Sequence, residues 1–370
     1  MRTEELTLPG FRHDTFSSVY PAAAASPVFA RMPLGPHGLE WVHPAACSAH
    51  PLPNAEAVVL SRDLATTARS LDAQNLGDGA RWAAYATPFL DAFPAVRETM
   101  LSGFPPVTGP LHLLRDAGPA RLAEFLRMLG GSAVGLGRRL FEGDGNRAWL
   151  YGAAMHGDTP PGRPGSGIAA FYLNLLGHGV GWPSPRGGAQ ALTDALVGYL
   201  ESLGGQIRTH SPVDRVLCAH GRVSGVGVAG GDVFHAPIVV ADVLPAALVR
   251  MTGDALAAWY RRALSFYRAG PATLKVDWAL DGPIPWLNPD VAGAGTVHVA
   301  GTEQELLDGV RRGAVGLPER PVLLLGQQSV ADPGRAPAGK HTAWAYTHGP
   351  VHLDWERLQD RHVEAMEAQV

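Results

Sequence analysis

A chain of 370 residues, 46% of them hydrophobic, is long enough for a sizeable core and for two domains. Its formal net charge of −4 supplies no basic footprint for nucleic acid. Two cysteines, Cys47 and Cys218, cannot build a disulfide framework, which fits a reducing compartment such as the cytoplasm.

The N-terminus carries Arg2, Glu4 and Glu5 without an apolar stretch, so no secretory leader is expected. Met1–Leu8 alternates polar and apolar residues and predicts a strand, closed by the turn Pro9-Gly10. A helix is expected over Ser17–Phe29. The apolar run Pro21–Ala30 is too short to span a bilayer and contains prolines, so nothing supports a membrane contact. Gly38–Val42, Ser48–Pro51 and Ala57–Leu60 predict short strands. Helices are expected over Arg62–Leu71, Asp78–Leu101 with a break at Pro94, Ala120–Leu129, Ser132–Phe141 and Ser166–Leu176.

In the central stretch, Leu192, Ala195, Leu196, Tyr199, Leu200 and Leu203 recur at helical spacing and form one apolar face. Gly187-Gly188 opens this helix and Gly204-Gly205 stops it. Ile207 opens a short strand and Val213–Leu217 forms another. His220-Gly221 and Gly230-Gly231 are turns, so Val223–Val228 and Val233–Ala236 predict a hairpin. Ile238–Ala241 is a continuous apolar run, the mark of a strand buried on both faces. Beyond it a helix is expected over Ala255–Phe266 and another over Glu303–Val310. Strands are expected over Ala272–Leu280, Thr296–Ala300, Pro321–Leu325 and Thr342–Tyr346, and a last amphipathic helix over Trp355–Val370. The fifteen histidines are scattered, and no metal site is read from them. Gly225–Gly230 matches Gly-x-Gly-x-x-Gly as a string. A dinucleotide site needs strand, tight turn, then helix, and here another strand follows, so these glycines belong to the hairpin.

The order Pro185-Arg186-Gly187-Gly188, helix, Gly204-Gly205-Gln206-Ile207, Val213, Gly221-Arg222-x-x-Gly225-Val226 and Val239-Val240-Ala241-Asp242 resembles the phytoene dehydrogenase-related flavoproteins, within the amine oxidase and carotenoid desaturase superfamily. The resemblance implies an α/β fold: a partial FAD-binding Rossmann-like domain of glutathione reductase type, with a discontinuous substrate domain of mixed sheet and helices. It divides the chain into 1–35 and 183–248 for the cofactor domain, and 36–182 and 249–370 for the substrate domain. In the family, a βαβ unit ending in Gly-Gly precedes the match to Arg2-Thr3, and a Gly-rich segment follows the last helix. An in-frame upstream segment with Gly-x-Gly-x-x-Gly is therefore expected, and the resemblance covers a family pattern truncated at both ends.

The same resemblance assigns roles. Arg2 and Thr3 match positions near the FAD phosphates or the flavin edge; the plain alternative is an exposed terminus. Val213 matches the position whose main chain binds adenine. Arg186, Gly187 and Gly188 form a corner near the flavin, or simply a helix start. Asp242 ends a strand where ligands gather in α/β sheets, or caps the helix beginning near Pro245. Lys275, in the stretch KVDWALDGPIPW, resembles the lysine that faces flavin N5. Alternation puts it on one strand face with Asp277, so a simple ion pair is the alternative. Only two of the 30 basic residues are lysines, Lys275 and Lys340. His13-Asp14, His156 and Trp182 are polar or aromatic groups that could line a substrate cavity; the plain alternative for each is a satisfied structural residue. The function implied is FAD-dependent oxidation or desaturation of a small or lipophilic substrate, with oxygen, a quinone or another acceptor taking the electrons. A non-catalytic interaction module without FAD and a flavin-dependent isomerase are the alternatives.

Overall fold

A computed structural model describes all residues, Met1–Val370. The chain forms two units: Met1–Ser202 with Pro271–Val370, and Leu203–Gly270. No helix is long and apolar enough to cross a membrane.

The larger unit is built on a six-stranded mixed sheet. Its order is Ala272–Leu280, His341–Gly349, Leu323–Gly326, Ala294–Val299, Ala46–Pro51, Ala57–Leu60. The neighbours are antiparallel except Ala294–Val299 beside Ala46–Pro51, which run parallel with Thr296 opposite Ser48. Strand alternation gives this sheet two different faces. Leu274, Val276, Trp278, Val297, Leu325 and Ala345 point to one side and pack with Met366 of the helix Trp355–Gln369. The other side carries two cross-strand rows. Lys275, Tyr346, Leu324 and His298 form one, and Asp277, Trp344, Gly326, Thr296 and Ser48 the other.

Helices cover part of that second side. Asp144–Ala154 and Ser166–Gly179 pack on the strands around Ala46–Pro51 and Ala57–Leu60. Behind them Trp82, Phe89, Trp149 and Phe171 interlock, with Trp82 edge-on to Trp149 at 5.3 Å and Phe89 to Phe171 at 5.0 Å. Each such buried aromatic contributes roughly 1.5–3 kcal/mol of burial. One buried carboxylate fixes the helix ends. Asp78 accepts from Asn146 Nδ2 at 2.7 Å and from the backbone of Glu142 and Gly143 at 3.1 and 2.9 Å. Burial opposes its charge, but these bonds outweigh it and hold the carboxyl below its ordinary range.

The smaller unit is a three-stranded antiparallel sheet, Val213–Ala219, Arg222–Val228 and Val233–His235, followed by the helices Pro245–Thr252 and Ala258–Leu264. Gly225 lies inside a strand, where a Cβ would stand 2.1 Å from the Phe234 carbonyl. The Gly-x-Gly-x-x-Gly string is thus a hairpin, as expected.

Several expectations need correction. Met1–Leu8 yields only the two-residue strand Thr3–Glu4, paired with His13–Asp14. The helix over Ser17–Phe29 shrinks to Pro21–Ala25, because Pro21 starts it and Ser26-Pro27 ends it. Thr108–Gly130 is one long helix bent at Gly118 (φ 82°) and Pro119, so only its second half matches Ala120–Leu129. The helix Asp144–Ala154 was not expected; its apolar pattern is that of an element buried all round rather than on one stripe. Leu200 and Leu203 are exposed, so the apolar face of Ala189–Ser202 ends at Tyr199. Ile207 forms no strand. Ile238–Ala241 is neither a strand nor buried: no strand lies beside it to take its backbone bonds, and Ile238 and Val240 are exposed. The helix expected over Ala255–Phe266 is Ala258–Leu264.

Gly152 shows how tightly helix and sheet meet. A Cβ there would stand 2.5 Å from His298 Nδ1. Gly152→Ala is expected to destabilise the protein by about 1–3 kcal/mol. Because His298 is the obstacle, His298→Ala should absorb much of that cost. Denaturant unfolding of the two single variants and the double variant measures it, through a coupling energy well away from zero.

Candidate functional site

The N-terminus of the helix Ala189–Ser202 organises one half of the site. Its first N–H groups have no partner within the helix. Ala189 N donates to Asp14 Oδ1 at 2.8 Å and Gln190 N to Thr3 Oγ1 at 3.0 Å, while Thr3 Oγ1 donates to Asp14 Oδ1 at 2.6 Å. Residues far apart in the chain thus cap this helix. Gly188, at φ 113°, allows the approach: a Cβ would lie 2.3 Å from Thr3 Oγ1. Asp14 Oδ2 lies 2.7 Å from Arg335 Nη2, and both residues are fully buried. Arg335 Nε donates to the Arg12 carbonyl at 3.1 Å, and Gly187 N donates to Asp332 Oδ2 at 2.7 Å.

The other half is the second side of the sheet. Lys275 hydrogen-bonds Asp277 Oδ1, and both side chains are largely buried. Asp277 Oδ1 also lies 3.4 Å from His13 Nδ1. Burial works against the Asp277 charge, but His13 and Lys275 outweigh it and keep the carboxyl below its ordinary range. Lys275 Nζ sits 5.9 Å from the centre of the Trp344 ring, which stacks on Tyr346 at 5.9 Å. The Trp344 indole lies across Gly326, where a Cβ would come within 2.3 Å of it. Trp344 Nε1, Thr296 Oγ1 and Ser48 Oγ are buried in the same row without a hydrogen-bond partner in the chain. Unpaired buried polar groups cost roughly 1–3 kcal/mol each, so a row of them marks a place built for something other than packing.

Three histidines complete this side. His156 Nε2 and His298 Nε2 are 2.9 Å apart, so one carries the proton and the other accepts it. His156 also meets the edge of Trp182 at 5.1 Å. His50 Nε2 donates to the Gly301 carbonyl at 2.7 Å. Burial lowers the pKa of His50 and of His156 to about 4, and burial also holds His298 well below its ordinary value, so all three are neutral near pH 7.

The candidate residues read from the sequence fall out as follows. Thr3, Gly187 and Gly188 meet at the capped helix. Arg186 is turned outward and binds Glu40 in a fork, Nε–Oε2 2.7 Å and Nη2–Oε1 2.8 Å. Arg2 is mostly exposed and pairs with Glu4 at 2.6 Å. Lys275 lies on the polar side of the sheet. Val213 and Asp242 belong to the smaller unit. Val213 starts its edge strand, whose outer main-chain groups face no other strand. Asp242 does not cap the next helix: the cap position is Leu244, and no side chain closes it. His13 and Asp14 are buried structural partners of Asp277 and Arg335 rather than open cavity groups. The ion pair of Lys275 with Asp277, the plain alternative read from the alternation, is present, whereas Arg335, Trp344, Tyr346 and the pairing of His156 with His298 were missed. Only the alternation in Ala272–Leu280 and His341–Gly349 could have signalled any of them.

No protein-family model matches the chain. The chain is 27% identical over 246 residues to the pyridine nucleotide-disulfide oxidoreductase domain-containing protein 2 of Rattus norvegicus, covering 62% of this chain and 42% of that protein. It is 26% identical over 197 residues to the phytoene desaturase of Fusarium fujikuroi, covering 52% of this chain and 32% of that protein. The chain thus spans less than half the length of these curated relatives. An oxidoreductase from Methanosarcina mazei superposes with a TM-score of 0.62 at 15% identity, over 98% of this chain and 74% of that one. A putrescine oxidase variant superposes with a TM-score of 0.56 at 13% identity, over 100% and 72%. The expected resemblance is therefore matched by similarity in sequence to a phytoene desaturase, and the mixed α/β fold is shared with these two solved structures.

The buried histidines make stability depend on pH with a definite sign. His50 titrates at 6.5 when free and at about 4 when folded. Below pH 6.5 the unfolded chain takes up the proton first, so the contribution of neutral burial is complete above 6.5 and is lost as the pH falls to about 4. That loss is roughly 3 kcal/mol for such a group. Urea unfolding across this window should show falling stability, with a shallower slope in His50→Gln.

Proposed function

We propose that this chain forms the core of an FAD-dependent oxidoreductase of dehydrogenase or desaturase type. The observation that carries the reading is Lys275 on the polar side of the six-stranded sheet, beside Asp277, Trp344 and Tyr346. The similarity to a phytoene desaturase supports a lipophilic small-molecule substrate. FAD, when bound, would take up hydride and pass electrons to oxygen or a quinone.

The residues present fit such a group in part. Val213 stands on an edge strand, where main-chain N–H and C=O groups are available to an adenine ring. Arg2 is free to reach a phosphate, since its surface pair with Glu4 is weak. The Arg186, Gly187 and Gly188 corner and Thr3 would lie by the flavin through their backbone, because their side chains are engaged or absent. Asp242, which caps no helix, would be available to the cofactor. In this reading segments 1–35 and 183–248 serve the cofactor, and segments 36–182 and 249–370 enclose the substrate. Lys275 would hold or move a proton at its Nζ near flavin N5. Trp344 and Tyr346 would exclude water, and the neutral pair of His156 and His298 would present an uncharged wall to the substrate.

Lys275 gives the test. Arginine keeps the charge but does not release a proton, so Lys275→Arg should fail as Lys275→Met does. In the flavin-loaded protein both variants are expected to slow reoxidation by oxygen by roughly a hundredfold, the scale of a lost proton-transfer group. FAD content and thermal stability should stay near wild type. Stopped-flow absorbance of flavin reduction and reoxidation reads both steps, and wild-type rates in both variants would overturn the role of Lys275.

A further inference from the structure

We propose that Asp277 is the positioning residue for Lys275, and that His13 holds Asp277 in place from the N-terminal segment. The inference rests on Lys275 as the flavin-facing group proposed above. Lys275 Nζ bonds Asp277 Oδ1, and His13 Nδ1, which has no hydrogen-bond partner, stands 3.4 Å from the same oxygen, within ion-pair reach. His13 is fully buried, and its Nε2 is 2.8 Å from Thr7 Oγ1. Its backbone is fixed by the pairing of Glu4 with His13 and of Thr3 with Asp14. The next residue, Asp14, is locked by Arg335 and the helix beginning at Ala189.

The chemistry requires such a holder. A lysine stem has four rotatable carbons and loses up to about 2 kcal/mol of side-chain entropy when fixed. An ammonium between an aromatic ring and a sheet would swing to water unless an opposite charge anchors it. Asp277 is two residues away on the same strand face, so it sets where Nζ stands. Trp344, opposite Asp277 across the strands, has its ring centre 5.9 Å from Lys275 Nζ. The N-terminal segment thereby reaches the lysine through one carboxylate. A change at residue 13 should be felt at residue 275, although the two do not touch.

The 370-residue chain tests this without a flavin, because it has only two lysines. Lys340 pairs with Asp281 at 2.7 Å on the surface and serves as the internal reference. Limited reductive methylation with formaldehyde and cyanoborohydride as the hydride donor, read by peptide mass spectrometry, gives the ratio of Lys275 to Lys340 modification. Asp277→Asn is expected to raise that ratio by roughly tenfold, the low end of what a neighbouring opposite charge contributes. His13→Asn should raise it by less, and Asp277→Glu should restore it towards wild type. Asp281→Asn should speed Lys340 alone. An unchanged ratio in folded Asp277→Asn overturns the inference. If circular dichroism shows that variant unfolded, His13→Asn decides by the same criterion. Wild-type flavin kinetics in Lys275→Met would sink the flavin reading and leave the methylation ratios as they are, so the two failures are separable.

Discussion

The larger unit depends on the ion pair of Asp14 with Arg335. Taking two charges out of water costs several kcal/mol per ion, and the pair alone does not guarantee that cost is recovered. Here part of the remaining capacity is used, while Asp14 Oδ2 and both Arg335 Nη atoms have no hydrogen-bond partner beyond the ion pair itself. Asp14 also accepts from Ala189 N and Thr3 Oγ1, and Arg335 donates to the Arg12 carbonyl. A carboxylate at a helix N-terminus is further favoured by the helix dipole. Four stretches distant in sequence, around residues 3, 14, 189 and 335, are thereby fixed to one another. Removing either charge would leave the other buried without a partner, the costly case. Replacing both by apolar groups would spare that cost but lose the cap.

That anchor matters because the sheet beside it has a polar side. Its apolar side packs as a core does and needs no further account. The other side buries Ser48, Thr296, His50 and His298 almost completely. Polar side chains in such a place lower stability unless each finds a partner. Some do, as His50 does with Gly301. Others, Trp344 Nε1 and Thr296 Oγ1 among them, have none in the chain. An arrangement that sacrifices stability along one side of one sheet is a feature of sites rather than of scaffolds.

Some of this could be read from the residues alone. The strand Ala272–Leu280 and its two faces follow from strict alternation, and Lys275 and Asp277 fall on one face by the same rule. The helix at Ala189 follows from its apolar spacing and the glycine pair before it. The histidine cluster did not: His50, His156 and His298 come from three segments, and only the parallel pairing of Ala294–Val299 with Ala46–Pro51 brings two of them together. Ile238–Ala241 misled for a related reason. An apolar run specifies a buried strand only where neighbours exist to pair with it, and local sequence does not contain the neighbours. The helix Asp144–Ala154 was hidden because nearly every residue in it is buried, which erases the periodic signal.

The use of lysine at position 275 is informative in its own right. This chain writes nearly every cation as arginine, and its arginines do what a planar fork does well. Arg186 grips Glu40 with two nitrogens, and Arg115 grips Asp116 likewise. If the group beside Asp277 had only to neutralise a carboxylate, arginine would serve, and it would stack on Trp344 at least as well. Lysine differs in two respects: its charge is a point, and its proton can leave. The first suits a narrow gap beside an indole. The second has no structural use, because an ion pair is weakened by a cation that can lose its charge. The surface lysine, Lys340, also faces an aspartate, Asp281, but in water, where either cation would do. At position 275 lysine and partner are both largely buried and the neighbours are aromatic, so the two lysines differ in their surroundings and not in the kind of partner they meet.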